Sequence, residues 1–420
     1  MKQRSWHQDK TVLKAAEAIL RAGPICDECL GRAFAKLGHG LSNRSRGERL
    51  RRALAARDFP AKSGPCWVCK DLFERIPEWV DRAVKLATGI EHDSYLFGVR
   101  LTARLVEMEA FFQEKFPTGH EESLKHAFNR ETGKAFEARM GRGTVELRRP
   151  HLSFIVDLGN GRIDLRILPV YIYGRYRKLV RGIPQTHWPC RPCRGQGCAT
   201  CHFTGKQYPE SVEELIAGPF LDAAQTEQVC FHGAGREDVD ARMLGTGRPF
   251  VLELIEPQRR RFDLEPLEDR VNTYTEGKVH ISNLRFAPQE TVALIKETSA
   301  EKTYRASVAF GADISPTALE EALCALVGSI EQRTPQRVAH RRVDRVRRRR
   351  VLEAGGELLS PQQASIELRT EGGLYVKELI SGDDGRTIPN LSERLDVPAR
   401  VITLDVVSVS SGAFPDEGAT

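Results

Sequence analysis

The sequence has no apolar run approaching the roughly 18 residues that a membrane-crossing helix needs, and Met1–Lys10 lacks the apolar core of a secretion signal. Neither export nor a membrane span is supported, so a cytoplasmic protein without a membrane partner is expected. Internal repeats are absent, which argues against a stacked-repeat architecture. Apart from an arginine-rich run at Arg333–Arg350 and a short polar tail after Ser411, there is no low-complexity tract. In a reducing compartment disulfides are disfavoured, so the ten cysteines need another purpose.

Eight of those cysteines form C-x-x-C pairs. Cys26 and Cys29 follow Gly23-Pro24, and Cys66 and Cys69 follow Gly64-Pro65. Each pair opens at a turn where two thiolates can face one point, and two such knuckles give a closed, structural four-cysteine zinc site. Two pairs of small buried hydrophobes would not explain the repeated Gly-Pro approach. Cys190, Cys193, Cys198 and Cys201 lie close together among Gly195, Gly197 and Gly205. That spacing suits small zinc ribbons and the cysteine-rich repeats of DnaJ chaperones; a second zinc site is expected there, with an iron–sulfur cluster as the alternative. Cys230 and Cys324 lack partners and read as core.

With 420 residues the chain is long enough for two or three domains with real cores. The net charge of +6 is modest but uneven, because Arg333–Arg350 holds nine arginines and His340 against one acid, Asp344. Such a run favours a polyanionic partner, while Val338, Val343, Val346 and Val351 suggest that one side of it is buried. Helical spacing is expected over Thr11–Leu20, Arg46–Ala56, Ser211–Ala217 and Pro316–Ile330. A hairpin is expected where Phe154–Leu158 and Arg162–Ile167 flank Gly159-Asn160-Gly161. Strands are expected at Phe250–Ile255, Thr303–Phe310, Ser365–Thr370 and Val401–Val409. Tyr171–Gln185 interleaves aromatics with Arg175, Arg177, Lys178 and Arg181, which offers stacking faces and phosphate donors together and suits single-stranded RNA; an amphipathic strand with a basic face is the plainer alternative.

Gly235-Arg236-Glu237-Asp238-Val239-Asp240 places three carboxylates and an arginine in a loop flanked by Gly233, Gly245 and Gly247. Glycine lets a backbone turn sharply or approach a ligand. A solvated turn is the commoner reading of such a string, so its neighbours decide.

Together these features resemble the archaeal-type tRNA pseudouridine synthases that act on the TΨC arm, whose catalytic domain follows a zinc-bearing, THUMP-containing RNA-binding region. The resemblance covers nearly the whole chain. It is carried by Gly235–Leu244, Lys302-Thr303-Tyr304-Arg305, Arg337–Arg342, and Gly373-Leu374-Tyr375-Val376-Lys377-Glu378-Leu379 running into Gly385-Arg386-Thr387. Related synthases often carry threonine and isoleucine around the tyrosine, where this chain has Leu374 and Val376.

The resemblance implies an α+β fold with a mixed, largely antiparallel catalytic sheet. Residues 1–95 would be a zinc-bearing helical region, 96–188 a THUMP-like RNA-binding domain, 189–206 a cysteine-rich connector, and 207–420 the catalytic domain. The implied reaction breaks the N1–C1′ bond of uridine, rotates the uracil and joins C5 to C1′, with no cofactor for catalysis and zinc as a structural ion. It needs an ionised carboxylate at the ribose, either attacking C1′ or removing the C2′ proton. The resemblance places that role on Asp238, with Asp240 as fallback and Glu237 facing solvent.

Lys377 would keep the aspartate charged, unless it is an ordinary exposed lysine on a strand. Tyr304 would stack on the extruded uracil, and Tyr375 would line the same pocket. Family analogy implies uridine 55 of tRNA as substrate, with uridine 54 a second candidate and no obligate protein partner. A non-catalytic zinc-dependent RNA-binding or RNA-chaperone protein is the alternative, and a DnaJ-like cochaperone draws only on the second cysteine cluster.

Overall fold

In the computed structural model, described for residues 5–57, 59, 62–297, 300–340 and 342–410, the chain divides into two compact units, Met1–Leu168 and Pro169–Thr420. Among the described residues no helix is long and apolar enough to cross a membrane.

The first unit begins with helices whose starts are set by short polar caps. Asp9 accepts from Thr11 N at 2.8 Å to open Lys10–Ala22, and Ser42 accepts from Ser45 N at 3.1 Å to open Asn43–Ala55. Asp27–Arg32 crosses Asn43–Ala55 at two glycines. A Cβ on Gly31 would lie 1.7 Å from the Asn43 carbonyl oxygen, and one on Gly47 would lie 2.1 Å from that of Asp27. Only glycine permits this approach, which fixes the helix carrying Cys29.

Helices Ile76–Ala87, Ala103–Lys115 and Leu124–Met140 accompany a four-stranded sheet. In it Thr144–Val145 and Leu152–Asp157 run parallel to Ser94–Arg100, and Arg162–Ile167 returns antiparallel to Leu152–Asp157. The expected hairpin is present, its first strand starting two residues earlier and ending one earlier than expected; Asp157 caps its turn by accepting from Gly159 N and Asn160 N. Trp79, Phe97, Phe136 and Phe154 share one core with Cys29, Cys66 and Cys69, so packing is continuous across the expected boundary at 95/96.

The second unit is built on a ten-stranded sheet flanked by helices including Val212–Ala224, Leu264–Tyr274 and Pro316–Cys324. Its pairings are antiparallel except where Ala399–Val409 meets Ala241–Ile255 in parallel. The mixed, largely antiparallel α+β architecture is therefore as expected. Val170–Lys178 pairs with both Ala241–Ile255 and Val279–Ala287, so it belongs to this sheet and the chain divides at 168/169 rather than 188/189.

Three local expectations are corrected. The helix expected over Pro316–Ile330 ends at Cys324, because Gly328–Arg333 pairs with Val346–Val351 and its ladder bonds outcompete a longer helix. The arginine run has no single buried side of valines: Val346–Ser360 is a strand, Val338 and Val351 are buried, and Val343 and Val346 are exposed. Cys324 is exposed and Cys230 only partly buried, because the helix end and the edge strand carrying them do not turn them into the core.

Candidate active site and candidate metal centres

The Tyr171–Gln185 segment, read from sequence as an RNA-contacting surface, instead supports the acidic loop. Tyr171, Tyr173, Arg175, Tyr176 and Lys178 are buried, because their strand lies inside the sheet with neighbours on both edges. Their polar ends are satisfied internally. Lys178 donates to the Asp238 and Val239 carbonyls at 3.1 and 3.3 Å, and Gly182 N donates to Val239 O at 2.9 Å. Arg181 donates to Asp240 O at 2.8 Å, and Gln185 Nε2 to Gly235 O at 3.0 Å. The loop backbone is thus gripped along its length by one neighbouring segment, which fixes where its carboxylates point.

Glu237 faces inward, correcting the expectation that it meets solvent. Its Oε2 accepts from the Tyr176 hydroxyl at 2.7 Å and from Arg248 Nε at 3.0 Å, and Lys178 Nζ stands 3.8 Å from Oε1. Burial together with the adjacent carboxylate pushes the Tyr176 phenol up, so it stays a neutral donor. A buried carboxylate is tolerable only with such partners.

Asp238 points the other way, into a cavity of about 520 Å³ lined also by Trp188, Lys302, Tyr304, Arg337, Tyr375 and Lys377. The structure therefore brings together all four residues expected at the pocket. Asp238 Oδ1 accepts from Arg337 at 3.1 Å, and Lys377 Nζ lies 3.5 Å from Oδ2. Lys377 is on the short helix Val376–Ser381, not on a strand, and bonds more closely to Asp240 at 2.7 Å. Burial would raise the Asp240 carboxyl, but the hydrogen bond and charge of Lys377 hold it below the ordinary range. Tyr304 sits on the strand Lys302–Phe310, opposite Leu368 on one side and Val406 on the other. Burial, opposed by Arg248 and assisted by Asp238, pushes its phenol up to about 12, so it is a neutral ring on the cavity wall. Tyr375 is held through its backbone by Gln332 at 2.8 and 2.9 Å.

Several residues here escaped sequence reasoning as individuals. Arg337, on the turn Gln336–Val338, joins Asp238 to the buried Glu378, which it meets at 2.6 Å, and lies 5.9 Å from the Tyr375 ring centroid. Arg248 and Tyr176 hold Glu237, and Lys302 lines the wall beside them. Arg337 and Lys302 fell inside quoted motifs, and Tyr176 inside the aromatic, basic segment read as an RNA surface; nothing in the pattern around Arg248 marked it.

Both cysteine sets converge. The four Sγ atoms of Cys26, Cys29, Cys66 and Cys69 lie within 4.8 Å of one another, with Cys26 and Cys69 at 3.6 Å. The two knuckles are joined by Trp67 N donating to Pro24 O at 2.9 Å. In the second set Cys190–Cys198, Cys193–Cys201 and Cys198–Cys201 are 3.9, 3.8 and 3.8 Å apart. Four thiolates about 2.3 Å from a tetrahedral zinc stand about 3.8 Å from each other, so both sets fit a metal ion. Gly197 N and Cys198 N each point at a sulfur at 3.2 Å and Gly205 N at 3.3 Å, an arrangement that favours thiolate. The positive φ of Gly197 and Gly205, with a Cβ on either meeting backbone within 2.8 Å, explains the glycines there.

The family model described as "Pus10, C-terminal" matches residues 171–410, and that of the archaeal Pus10 THUMP domain matches 79–157. Relatives named "tRNA pseudouridine synthase Pus10" include that of Methanothrix thermoacetophila, 44% identical over 96% of this chain and 95% of its own. The Halorubrum lacusprofundi relative is 44% identical over 97% and 98%, and that of Pyrococcus furiosus 38% identical over 95% and 98%. The chain belongs to the Pus10 family of tRNA pseudouridine synthases.

Proposed function

We propose that this protein isomerises uridine 55 of the tRNA TΨC loop to pseudouridine, that uridine 54 is its second candidate target, and that Asp238 is the reacting carboxylate. The observation that carries the reading is the pairing of Asp238 with Arg337 and Lys377 at the edge of a cavity walled by Tyr304. Two cations hold the carboxylate aimed at the space where a ribose would sit. The neutral Tyr304 ring supplies a stacking face for an extruded uracil, and Tyr375 a second wall. The carboxylate then either bonds to C1′ as the N1–C1′ bond breaks, or takes the C2′ proton while the uracil leaves with the bond's electron pair. In the first route C5 bonds to C1′ as the carboxylate–C1′ bond breaks; in the second C5 bonds to C1′ as the proton returns to C2′; in both the C5 proton is released and N1 takes up a proton.

The residues of both cysteine sets fit structural zinc, which would tie their loops together and supply no catalytic step. Arg345, Arg347 and Arg349, which line the cavity mouth, suit the phosphates of a bound tRNA arm. The test is to treat unmodified tRNA with the purified chain, map pseudouridine at positions 54 and 55, and follow tritium release from uracil-5-labelled tRNA with wild type and D238N. Product at 55 with wild type and none with D238N supports the reading. Binding without product from wild type would leave an RNA-binding protein, and unchanged release from D238N would remove Asp238 from its role.

A further inference from the structure

Three of the cavity's cations are paired with carboxylates. Arg337 and Lys377 meet Asp238, Asp240 and Glu378, and Arg248 meets Glu237. Lys302 lines the same cavity, and its ammonium makes no hydrogen bond or ion pair with any described residue. It reaches the wall because Gly235 lacks a side chain: a Cβ there would lie 3.1 Å from Lys302 Nζ and equally close to Arg248. Lys302 and Tyr304 stand two residues apart on one strand, so their side chains emerge on the same face. Burial, reinforced by Arg248 and opposed by Glu237, lowers the Lys302 pKa to about 8.

An unpaired cation beside the ring that would hold the uracil needs an anion for part of the cycle. The chemistry supplies one: when N1–C1′ breaks, the electron pair leaves with the base, and the negative charge spreads over N1 and the ring carbonyl oxygens.

We propose that Lys302 is a catalytic residue whose ammonium hydrogen-bonds a carbonyl oxygen of the detached uracil and stabilises its negative charge while the ring turns. This rests on the isomerase reading above, but it assigns the charge of the leaving base rather than that of the ribose. No proton need be transferred by Lys302, and the bond is undone when C5 joins C1′. Such a donor acts where charge develops, so it lowers the barrier more than it strengthens binding.

The test uses the full chain as wild type, K302M and K302R, with tRNA carrying either uridine or 5-fluorouridine at the target. Fluorine stabilises the uracil anion by itself, so it should substitute in part for the lysine. On uridine tRNA, K302M should slow single-turnover glycosidic cleavage about 10- to 100-fold with tRNA affinity changed less than about twofold. On 5-fluorouridine tRNA that defect should shrink to a few-fold. K302R, which keeps the charge, should retain most of the rate. It should also abolish the fall in rate expected of wild type above about pH 8; Arg248 and Glu237 face Lys302, and Lys296 and Arg349 lie elsewhere on the wall.

If wild type makes pseudouridine and K302M cleaves as fast, the proposal fails while the isomerase reading stands. Equal defects on both tRNAs with weakened affinity would make Lys302 a phosphate contact and also overturn it. Thermal unfolding checks that K302M is folded; should it not be, K302R decides through its alkaline profile.

Discussion

Lys377 stands nearer to Asp240, at 2.7 Å, than to Asp238, at 3.5 Å, although Asp238 lies deeper in the cavity. One ammonium shared by two carboxylates leaves Asp238 dependent on Arg337 for its second cation. The two aspartates should therefore separate cleanly. D238N is expected to lower the turnover rate by at least about 10³-fold, as for removal of a reacting group, with little change in tRNA affinity. D240N frees Lys377 to move toward Asp238 and should cost about tenfold or less. Single-turnover tritium release beside filter-binding affinity checks both, and a D240N defect as deep as that of D238N would reverse their roles.

Glu237 is the keystone beneath the loop. Its side chain is fully buried between Arg248 and Tyr176, and removing its charge leaves Arg248 buried without a counter-ion. E237Q should destabilise the protein by about 3 to 5 kcal/mol in denaturant unfolding, and activity should fall with it because the loop carrying Asp238 loses its anchor. A variant of unchanged stability would mean that water compensates for the lost charge.

The contrast between Glu237 and Asp238 marks the limit of what the sequence revealed. The motif located the loop, and the strand pattern located four of the sheet's ten strands, those containing Phe250–Ile255, Thr303–Phe310, Ser365–Thr370 and Val401–Val409. Adjacent carboxylates in irregular backbone have no period, however, so nothing local said which one turns inward. The basic aromatic segment misled for a related reason. Arginine and lysine spaced among tyrosines read as an RNA surface, yet here Arg175, Lys178 and Arg181 spend their donors on backbone carbonyls distant in sequence, those of Thr246, Asp238 and Leu404. The cysteine knuckles were legible because their geometry is set within four residues. The strand at Gly328–Arg333 was not, because its partner, Val346–Val351, comes after a long connection.

Asp405, on a strand paired on both sides, binds two arginines, Arg181 and Arg242. Burial alone would raise its carboxyl, but the hydrogen bond from Arg242 and the charges of Arg181 and Arg242 hold it below the ordinary value. A depressed carboxyl contributes stability that is fully present above its unfolded pKa of about 3.9 and lost as pH falls through the folded value. D405N should therefore be less stable than wild type at neutral pH, and the gap should narrow as pH is lowered from about 5 toward 3. Urea unfolding across that range measures it; a pH-independent gap would show that packing, not charge, is what Asp405 supplies.

Metal content distinguishes the two cysteine sets. If both hold zinc, purified protein should carry about two ions per chain, and C66S and C201S should each remove about one. C66S should also lower thermal stability markedly, since three of the four cysteines of that set, Cys29, Cys66 and Cys69, are built into the core of the first unit. C201S should act mainly on its own loop, because that set belongs to no hydrophobic core cluster. An iron–sulfur chromophore in place of zinc in either set would change the identity of the ion without moving its ligands.

The arginine strand offers a quantitative test of RNA contact. Arg347 and Arg349 line the cavity mouth, and Arg347 lies 6.0 Å from the Tyr375 ring centroid, so each can reach a phosphate beside the extruded nucleotide. A phosphate contact releases counter-ions, and losing one should lower the slope of log affinity against log salt by about 0.7 to 0.9 in magnitude. R347A and R349A should each weaken tRNA binding by that signature, with cleavage at saturating enzyme nearly unchanged. A variant that loses rate at saturation but keeps its salt slope would place its arginine against the base or ribose instead of the backbone.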